Sequence, residues 1–311
     1  MTVLQSNGSV GVIAFPIRPQ RRPELINAGF HVVQGWKEVV SLGGTHAIIA
    51  TDTLRHVEDI QAALEAGCNV LVEKPMAIDA ASAYRSLQTA QSAGRKMWVG
   101  YCLRFQEALN VFREQLGHIG KVHSVRIECQ SYLPDWRPER SYRDSYSARP
   151  EEGGVLRDLV HEIDYATWLF GWPSTVQSRV GATRQLGIDS EDTADLLWDT
   201  ENGIVVSIRL DYLSRPARRQ MRACGEHGTL EWDGSGGSVK LELAGKSLQS
   251  YLSSQTRNDM YLAQDLAFLE ADCAQFDPRL ATAEEGVRTL AICDAARRAS
   301  QSRREETIHY S

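Results

Sequence analysis

The chain has 311 residues, 42% of them hydrophobic and 24% charged, with a formal net charge of −6; that length suits two domains, each able to bury its own core. Acidic residues (40) outnumber basic ones (34) and no long Lys/Arg run occurs, which excludes a nucleic-acid surface as an expectation and favours a small-molecule partner. Six scattered cysteines (Cys68, Cys102, Cys129, Cys224, Cys273 and Cys293) contain no Cys-x-x-Cys pair, so free thiols in a reducing compartment are expected rather than a disulfide frame or a metal site.

The opening MTVLQSNGSV is neither basic nor apolar, and no run approaches the roughly 18 apolar residues of a membrane span. A cytoplasmic protein with no membrane partner is expected. Ser9–Phe15 (SVGVIAF) reads as a buried strand stopped by Pro16, with Arg18, Arg21 and Arg22 following among three prolines. Glu24–Ala28 reads as a helical turn, Phe30–Gln34 as a second strand and Trp36–Leu42 as a short helix. His46–Ala50 is a third strand. Thr51, Asp52 and Thr53 are good capping types before a helix at Val57–Ala66. Asn69–Glu73 (NVLVE) is a fourth strand ending in Glu73-Lys74-Pro75. Ile78–Ala93 is a helix and Met97–Tyr101 a fifth strand. Alternating strands and helices predict a parallel, doubly wound sheet over residues 1–101, with ligands beyond the carboxyl ends of its strands, where Lys74 sits.

From residue 102 to 311 the texture changes. Leu103–Leu116 is helical, and alternation marks strands at Val122–Tyr132, Val176–Thr183, Thr193–Asp199, Ile204–Leu213, Gln220–Cys224, Gly228–Trp232 and Ser238–Leu243. Helices follow at about Asn258–Phe276 and Thr282–Ser300. The fold class expected is therefore α/β plus α+β: a Rossmann-like parallel sheet, then a mostly antiparallel open-faced sheet with helices on one face. Leu133–Glu152 fits neither period. Twenty such residues with Trp136, Tyr142 and Tyr146 argue for an ordered functional loop. Its Arg137, Arg140, Arg143 and Arg149 are either flat donors for a carboxylate or phosphate, or surface partners of Asp135, Glu139 and Asp144.

Glu151–Gly171 (EEGGVLRDLVHEIDYATWLFG) is the stretch richest in chemistry. As one helix at about 100° per residue, it gathers Leu156, Leu159, Val160, Ile163, Ala166, Thr167 and Phe170 on one face. Gly154, Arg157, Asp158, His161, Asp164, Tyr165 and Trp168 lie on the other, which resembles a site wall more than a solvated surface. Asp158 and His161, three residues apart, also suit a plain local helix pair.

AIIATDTLRH (47–56), VLVEKP (70–75), VGYCLRF (99–105) and GGVLRDLVHEIDYATWLFG (153–171) resemble the glucose-fructose oxidoreductase, inositol dehydrogenase and rhizopine-catabolism family, Gfo/Idh/MocA. The resemblance implies NAD or NADP on the N-terminal domain and oxidation or reduction at a hydroxyl or keto carbon of a sugar-like substrate, an acidic or amino sugar among the candidates. It implies that Lys74 orients and polarises the reacting hydroxyl, that His161 is the general acid/base, and that Asp158 orients His161 or holds a neighbouring hydroxyl. Further substrate contacts are expected from Tyr101, Arg104, Trp136, Arg157 and Tyr165. Cofactor contacts are expected from Ala50, Thr51, His56, Glu73 and Lys74. A homodimer or homotetramer through the second-domain sheet is implied as well.

Two departures from the family pattern alter those expectations. Asp158 precedes His161 by three, and the position four before it is Arg157. No Gly-x-Gly-x-x-Gly occurs, so the first strand, glycine loop and first helix that cradle the cofactor pyrophosphate are absent, and cofactor binding is expected to be weakened or lost. Ser9–Phe15 is then expected to slide into the vacant central place of the sheet. Three explanations stand side by side: an oxidoreductase that holds its cofactor another way, a cofactor-free sugar-binding or regulatory relative, and a start recorded too far downstream.

Overall fold

The computed structural model describes residues 4–5, 8, 10–271 and 276–310; Ser9 and Cys273 lie outside them. Ile13–Ala14 (β1) and His31–Val32 (β2) pair as a two-stranded parallel ribbon, joined by the short helix Arg22–Asn27 (α1). A second parallel set contains His46–Ile49 (β3), Asn69–Glu73 (β4) and Met97–Gly100 (β5), connected through helices His56–Glu65 (α2) and Ala80–Ser92 (α3). Val70, Leu71 and Val72 of β4 are all buried, because a parallel strand with helices on both sides of its sheet meets apolar neighbours on both faces.

Ser9–Phe15 does not take the central place expected of it. Among the described residues β1 pairs with β2 and β3 with β4, and the two sets share no strand ladder. Ile13 and Ala14 spend their pairing on His31 and Val32, and Pro16 ends the run without an N–H to donate. An exposed ion pair between Arg18 and Asp52, 3.2 Å apart, links the carboxyl ends of β1 and β3.

The second domain is a nine-stranded sheet. Its members are Val122–Gln130 (β6), Thr175–Gly181 (β7), Thr193–Asp199 (β8), Val205–Asp211 (β9), Arg218–Gly225 (β10), Gly228–Asp233 (β11), Ser238–Leu243 (β12), Gln249–Leu252 (β13) and a terminal strand at Glu306–Thr307. Every pairing is antiparallel except β6 with β9. Alternation decides the faces: Ala194, Leu196 and Trp198 of β8 turn inward, Asp195 and Leu197 outward. Helices cover the inner face, among them Glu107–Gln115 (α4) and His161–Phe170 (α5).

A division at residues 101 and 102 is crossed by the C-terminal part of the chain. Ala281–Thr282 adds an antiparallel strand to the edge of β5. Helix Ala283–Ser302 (α6) then packs on both α3 and β7, and its Asp294 accepts from the Ala80 backbone N–H at 2.9 Å. The predicted helix Asn258–Phe276 runs from Arg257 to Glu270; its predicted continuation crosses 272–275, outside the described residues. No helix among the described residues is long and apolar enough to cross a membrane.

Gly153 and Gly154 sit where the two domains meet. A Cβ on Gly153 would lie 2.2 Å from the Tyr146 carbonyl oxygen, and Gly154 has φ 91° with the Glu191 carboxyl carbon 2.4 Å from where its Cβ would be. Both close approach and a positive φ therefore demand glycine here. Gly154→Ala is expected to cost about 1–3 kcal/mol, read as a lower urea midpoint at unchanged slope.

Candidate active site

The predicted single helix over 151–171 is two segments, Val155–Asp158 and α5, broken at Leu159 and Val160. The break has a specific consequence for hydrogen bonding. In an unbroken helix the Asp158 carbonyl would accept from the N–H of Glu162. Here Glu162 N–H donates to the Leu159 carbonyl instead, at 3.3 Å. The freed Asp158 carbonyl accepts from Lys74 Nζ at 2.6 Å. Lys74, at the carboxyl end of β4, is thereby fixed one helical turn before His161.

His161 is buried, 7% exposed. Its buried Nδ1 has no partner among the described residues, and no hydrogen bond occupies Nε2 there. Tyr101 packs edge-on against the imidazole, ring centroids 5.9 Å apart, and fixes its plane. Burial first, then the positive charges of Lys74 and Arg219, hold the imidazole well below its ordinary pKa. A neutral ring with an open Nε2 is a proton acceptor.

The expected Asp158–His161 pair is not formed. Asp158 Oδ2 accepts from the Tyr212 hydroxyl at 2.7 Å, because the helix break turns its side chain toward β9 and away from the imidazole. Tyr101 hydroxyl, Asp158 Oδ1, His161 Nδ1, Glu162 Oε2 and Tyr165 hydroxyl are all buried and unpartnered among the described residues. Such groups are ordinarily bonded.

Several expected substrate contacts turn out to be structural. Arg104, 1% exposed, makes a two-bond contact to Asp164 at 2.6 and 3.1 Å and reaches Glu285 at 3.0 Å, so its Nε and Nη2 donors serve ion pairs. Arg157 donates to the carbonyls of Ile78, Pro150 and Gly153, so it braces the domain junction. Trp136 Nε1 donates to Ser131, and its ring lies edge-on to Tyr212 at 5.4 Å, which leaves it in the layer behind Asp158. Tyr165 is enclosed against Trp232, ring centroids 5.3 Å apart. Of that group Tyr101 packs its ring on the His161 imidazole.

The expected cofactor contacts divide in the same way. Ala50 is exposed at the end of β3. The Thr51 hydroxyl is given to Asp59 at 2.7 Å. His56 is buried, with Nδ1 2.9 Å from the Pro75 carbonyl oxygen and Nε2 3.0 Å from that of Thr51. Its ring thus ties two loops together and has no nitrogen left for a ligand. Glu73 is half-buried beside Lys74, and burial raises its carboxyl pKa against the opposing pull of that lysine.

A dinucleotide also needs backbone donors for its pyrophosphate, usually at a helix N-terminus. After β1 the chain offers Pro16 and Pro19, and Pro23 opens the six-residue α1. Arg18 is paired with Asp52 and Arg21 with Glu24. These residues do not fit a pyrophosphate cradle, whereas Lys74 and His161 fit a reacting carbinol.

Residues 17–101 match the family described as "Oxidoreductase family, NAD-binding Rossmann fold", and residues 114–231 match "GFO/IDH/MocA C-terminal domain". A two-domain oxidoreductase fold with a lysine and a histidine converging between its domains is the class so defined. The chain belongs to the Gfo/Idh/MocA family. Inositol 2-dehydrogenase 2 of Saccharopolyspora erythraea is 29% identical over 172 residues, covering 52% of this chain and 46% of that protein. D-apiose dehydrogenase of Paraburkholderia graminis is 28% identical over 202 residues, covering 62% and 49%. The chain thus spans about half the length of the curated relatives it matches. Among solved structures, a levoglucosan dehydrogenase in complex with NADH aligns with a TM-score of 0.84 at 17% identity, covering 96% of this chain and 90% of that one. That likeness establishes the fold.

Sequence reasoning missed Arg219, Glu162 and Tyr212. Arg219 Nε donates to the fully buried Glu162 at 2.7 Å. The available signal was parity: Arg219 alternates in phase with the apolar Met221 and Ala223, which puts it on the inner face.

The depressed His161 pKa has a definite sign in stability. An unfolded chain takes up this proton near 6.5, and the folded one only at lower pH, so stability falls as pH drops below 6.5 and is unaffected by this group above it. Urea unfolding between about pH 7 and pH 5 is expected to show that decline. His161→Asn should flatten part of it, with buried His56 contributing in the same direction; an equally steep decline in the variant would contradict the assignment.

Proposed function

We propose that this chain acts at a hydroxyl or keto carbon of a sugar-like molecule, with His161 Nε2 taking or returning the hydroxyl proton and Lys74 Nζ orienting and polarising the same oxygen. The observation that carries the reading is the Lys74 ammonium, held on the Asp158 carbonyl within one helical turn of a neutral, unpartnered imidazole. Removing the two hydrogens of a carbinol requires a proton acceptor and a hydride acceptor. The family's NAD or NADP would supply the second. Asp158 and Tyr212 form the polar wall behind the proton-transfer pair, and Tyr101 keeps the ring from rotating.

The misfit at the phosphate end favours a second reading, a carbohydrate-binding or regulatory relative that works without dinucleotide. The two readings part on one pair of measurements. Under the first, fluorescence titration with NADH or NADPH saturates, with an affinity as weak as about 1 mM, and Lys74→Ala or His161→Asn lowers turnover by about 10²–10⁴-fold. Absence of saturable binding at that concentration sinks the first reading. Sugar-dependent thermal stabilisation with no dinucleotide present supports the second.

Relatives named for inositol, D-apiose and 2,7-anhydro-N-acetylneuraminate support a polyhydroxylated substrate. The outer face of the nine-stranded sheet carries Leu197 and Val205 among opposite charges such as Arg209 and Asp195, which suits pairing with a second copy as a dimer or tetramer. Light scattering of the purified chain is expected to give a mass above that of the monomer. The free Cys68, Cys102, Cys129, Cys224 and Cys293 suit a reducing, cytoplasmic setting.

A further inference from the structure

The inner face of the second-domain sheet is apolar along β10 except at one position. Met221 and Ala223 are buried there, and Arg219 shares their parity. Directly across the ladder lies the buried Cys129 of β6. A guanidinium on such a face needs a counter-charge, and Glu162 supplies one, but through a single bond to Nε. Neither Nη of Arg219 has a partner among the described residues, yet the side chain remains 26% exposed. Glu162 adjoins His161 on α5, so the bond to Nε tethers the guanidinium beside that imidazole, on which its charge acts.

The charges around the imidazole are uneven. The Asp158 carboxylate is turned to Tyr212, Asp164 is consumed by Arg104, and Lys74 rests on a neutral carbonyl. Lys74 and Arg219 are the charges that act on the imidazole. A planar fork of two parallel N–H donors beside a second cation matches a carboxylate.

We propose that Arg219 is a specificity residue whose free Nη pair takes the carboxylate of a sugar acid, an aldonic or uronic acid, while its hydroxyl carbon faces Lys74 and His161. This moves acid recognition from the arginines of the 133–152 loop to β10. Arg149 of that loop is paired with Glu152, and Arg143 stacks on Tyr142. The proposal rests on the reading of the Lys74–His161 region as a sugar site.

The test compares D-galacturonate with D-galactose, and D-glucuronate with D-glucose, by calorimetry on the full chain at constant ionic strength. The acid of each pair is expected to bind at least about tenfold tighter than its neutral counterpart. Arg219→Lys, which keeps a charge for Glu162, should bring the ratio below about threefold. The double variant Arg219→Gln/Glu162→Gln removes both charges together, avoids a lone buried carboxylate, and should abolish the preference. His161→Asn should retain it. Equal binding of acid and neutral sugar, absence of acid binding, or a preference that survives the double variant overturns the proposal. Arg219-dependent acid binding without dinucleotide-dependent turnover leaves the proposal standing and removes the oxidoreductase reading. Turnover of neutral sugars with no preference for acids does the reverse.

Discussion

The bond from Lys74 Nζ to the Asp158 carbonyl depends on a helix that stops for two residues and starts again. Its neighbours serve the same junction. Arg157 reaches the Ile78 carbonyl at 2.8 Å, and Glu152 accepts from the Leu54 N–H at 3.1 Å. Three contacts to the first domain thus come from the seven-residue stretch 152–158, whose entry only Gly153 and Gly154 can make. A residue pair from two domains holds catalytic spacing only if the seam between them is stiff. Here the seam and the candidate site are the same segment, so the left-handed turn at Gly154 and the positioning of Lys74 are parts of one arrangement.

The electrostatics follow from burial. Arg104, Asp164 and Glu285 form a closed ion triad under the helix; removing one member would strand the others in a medium that solvates charge poorly. At His161 the opposite holds: its buried Nδ1 lacks a partner among the described residues, at a desolvation cost of about 1–3 kcal/mol. The apolar layers on either side, such as Val70–Val72 and Leu156 with Ile163, offset that cost. Asp164 and His161 share one helix, so the ion triad anchors the backbone that carries the imidazole.

Local patterns made much of the fold legible. Thr193–Asp199 and Ser238–Leu243 run as alternation predicts, and the strand–helix order up to Gly100 follows from apolar runs and glycine stops. The motifs singled out Lys74 and His161, which the fold brings to the same helix break. The roles of Arg104, Arg157 and Asp158 were not legible, because a charged side chain in an apolar run reads the same whether it meets a ligand or a distant partner. Arg104 finds Asp164 sixty positions away, and Asp158 finds Tyr212 fifty-four away. The helix break was hidden for a related reason. Neither Leu159 nor Val160 is a helix-stopping residue such as Gly or Pro, and the bonds that reward the break come from Lys74 and Tyr212.

The N-terminal sheet poses the remaining physical question. β1 with β2, and β3 with β4 and β5, are parallel sets whose facing edges carry no ladder between them among the described residues. Unpaired strand edges invite another strand, and a parallel sheet is stable only when both faces are covered. β4 meets that condition, whereas Ile48 of β3 remains 39% exposed. The carboxyl ends of these same strands are where a doubly wound fold holds its ligand. Incomplete pairing at β3 and the lack of backbone donors after β1 thus fall at the same end of the sheet. Lys74 is insulated from this, because it leaves from β4, whose two neighbours in the sheet are both present.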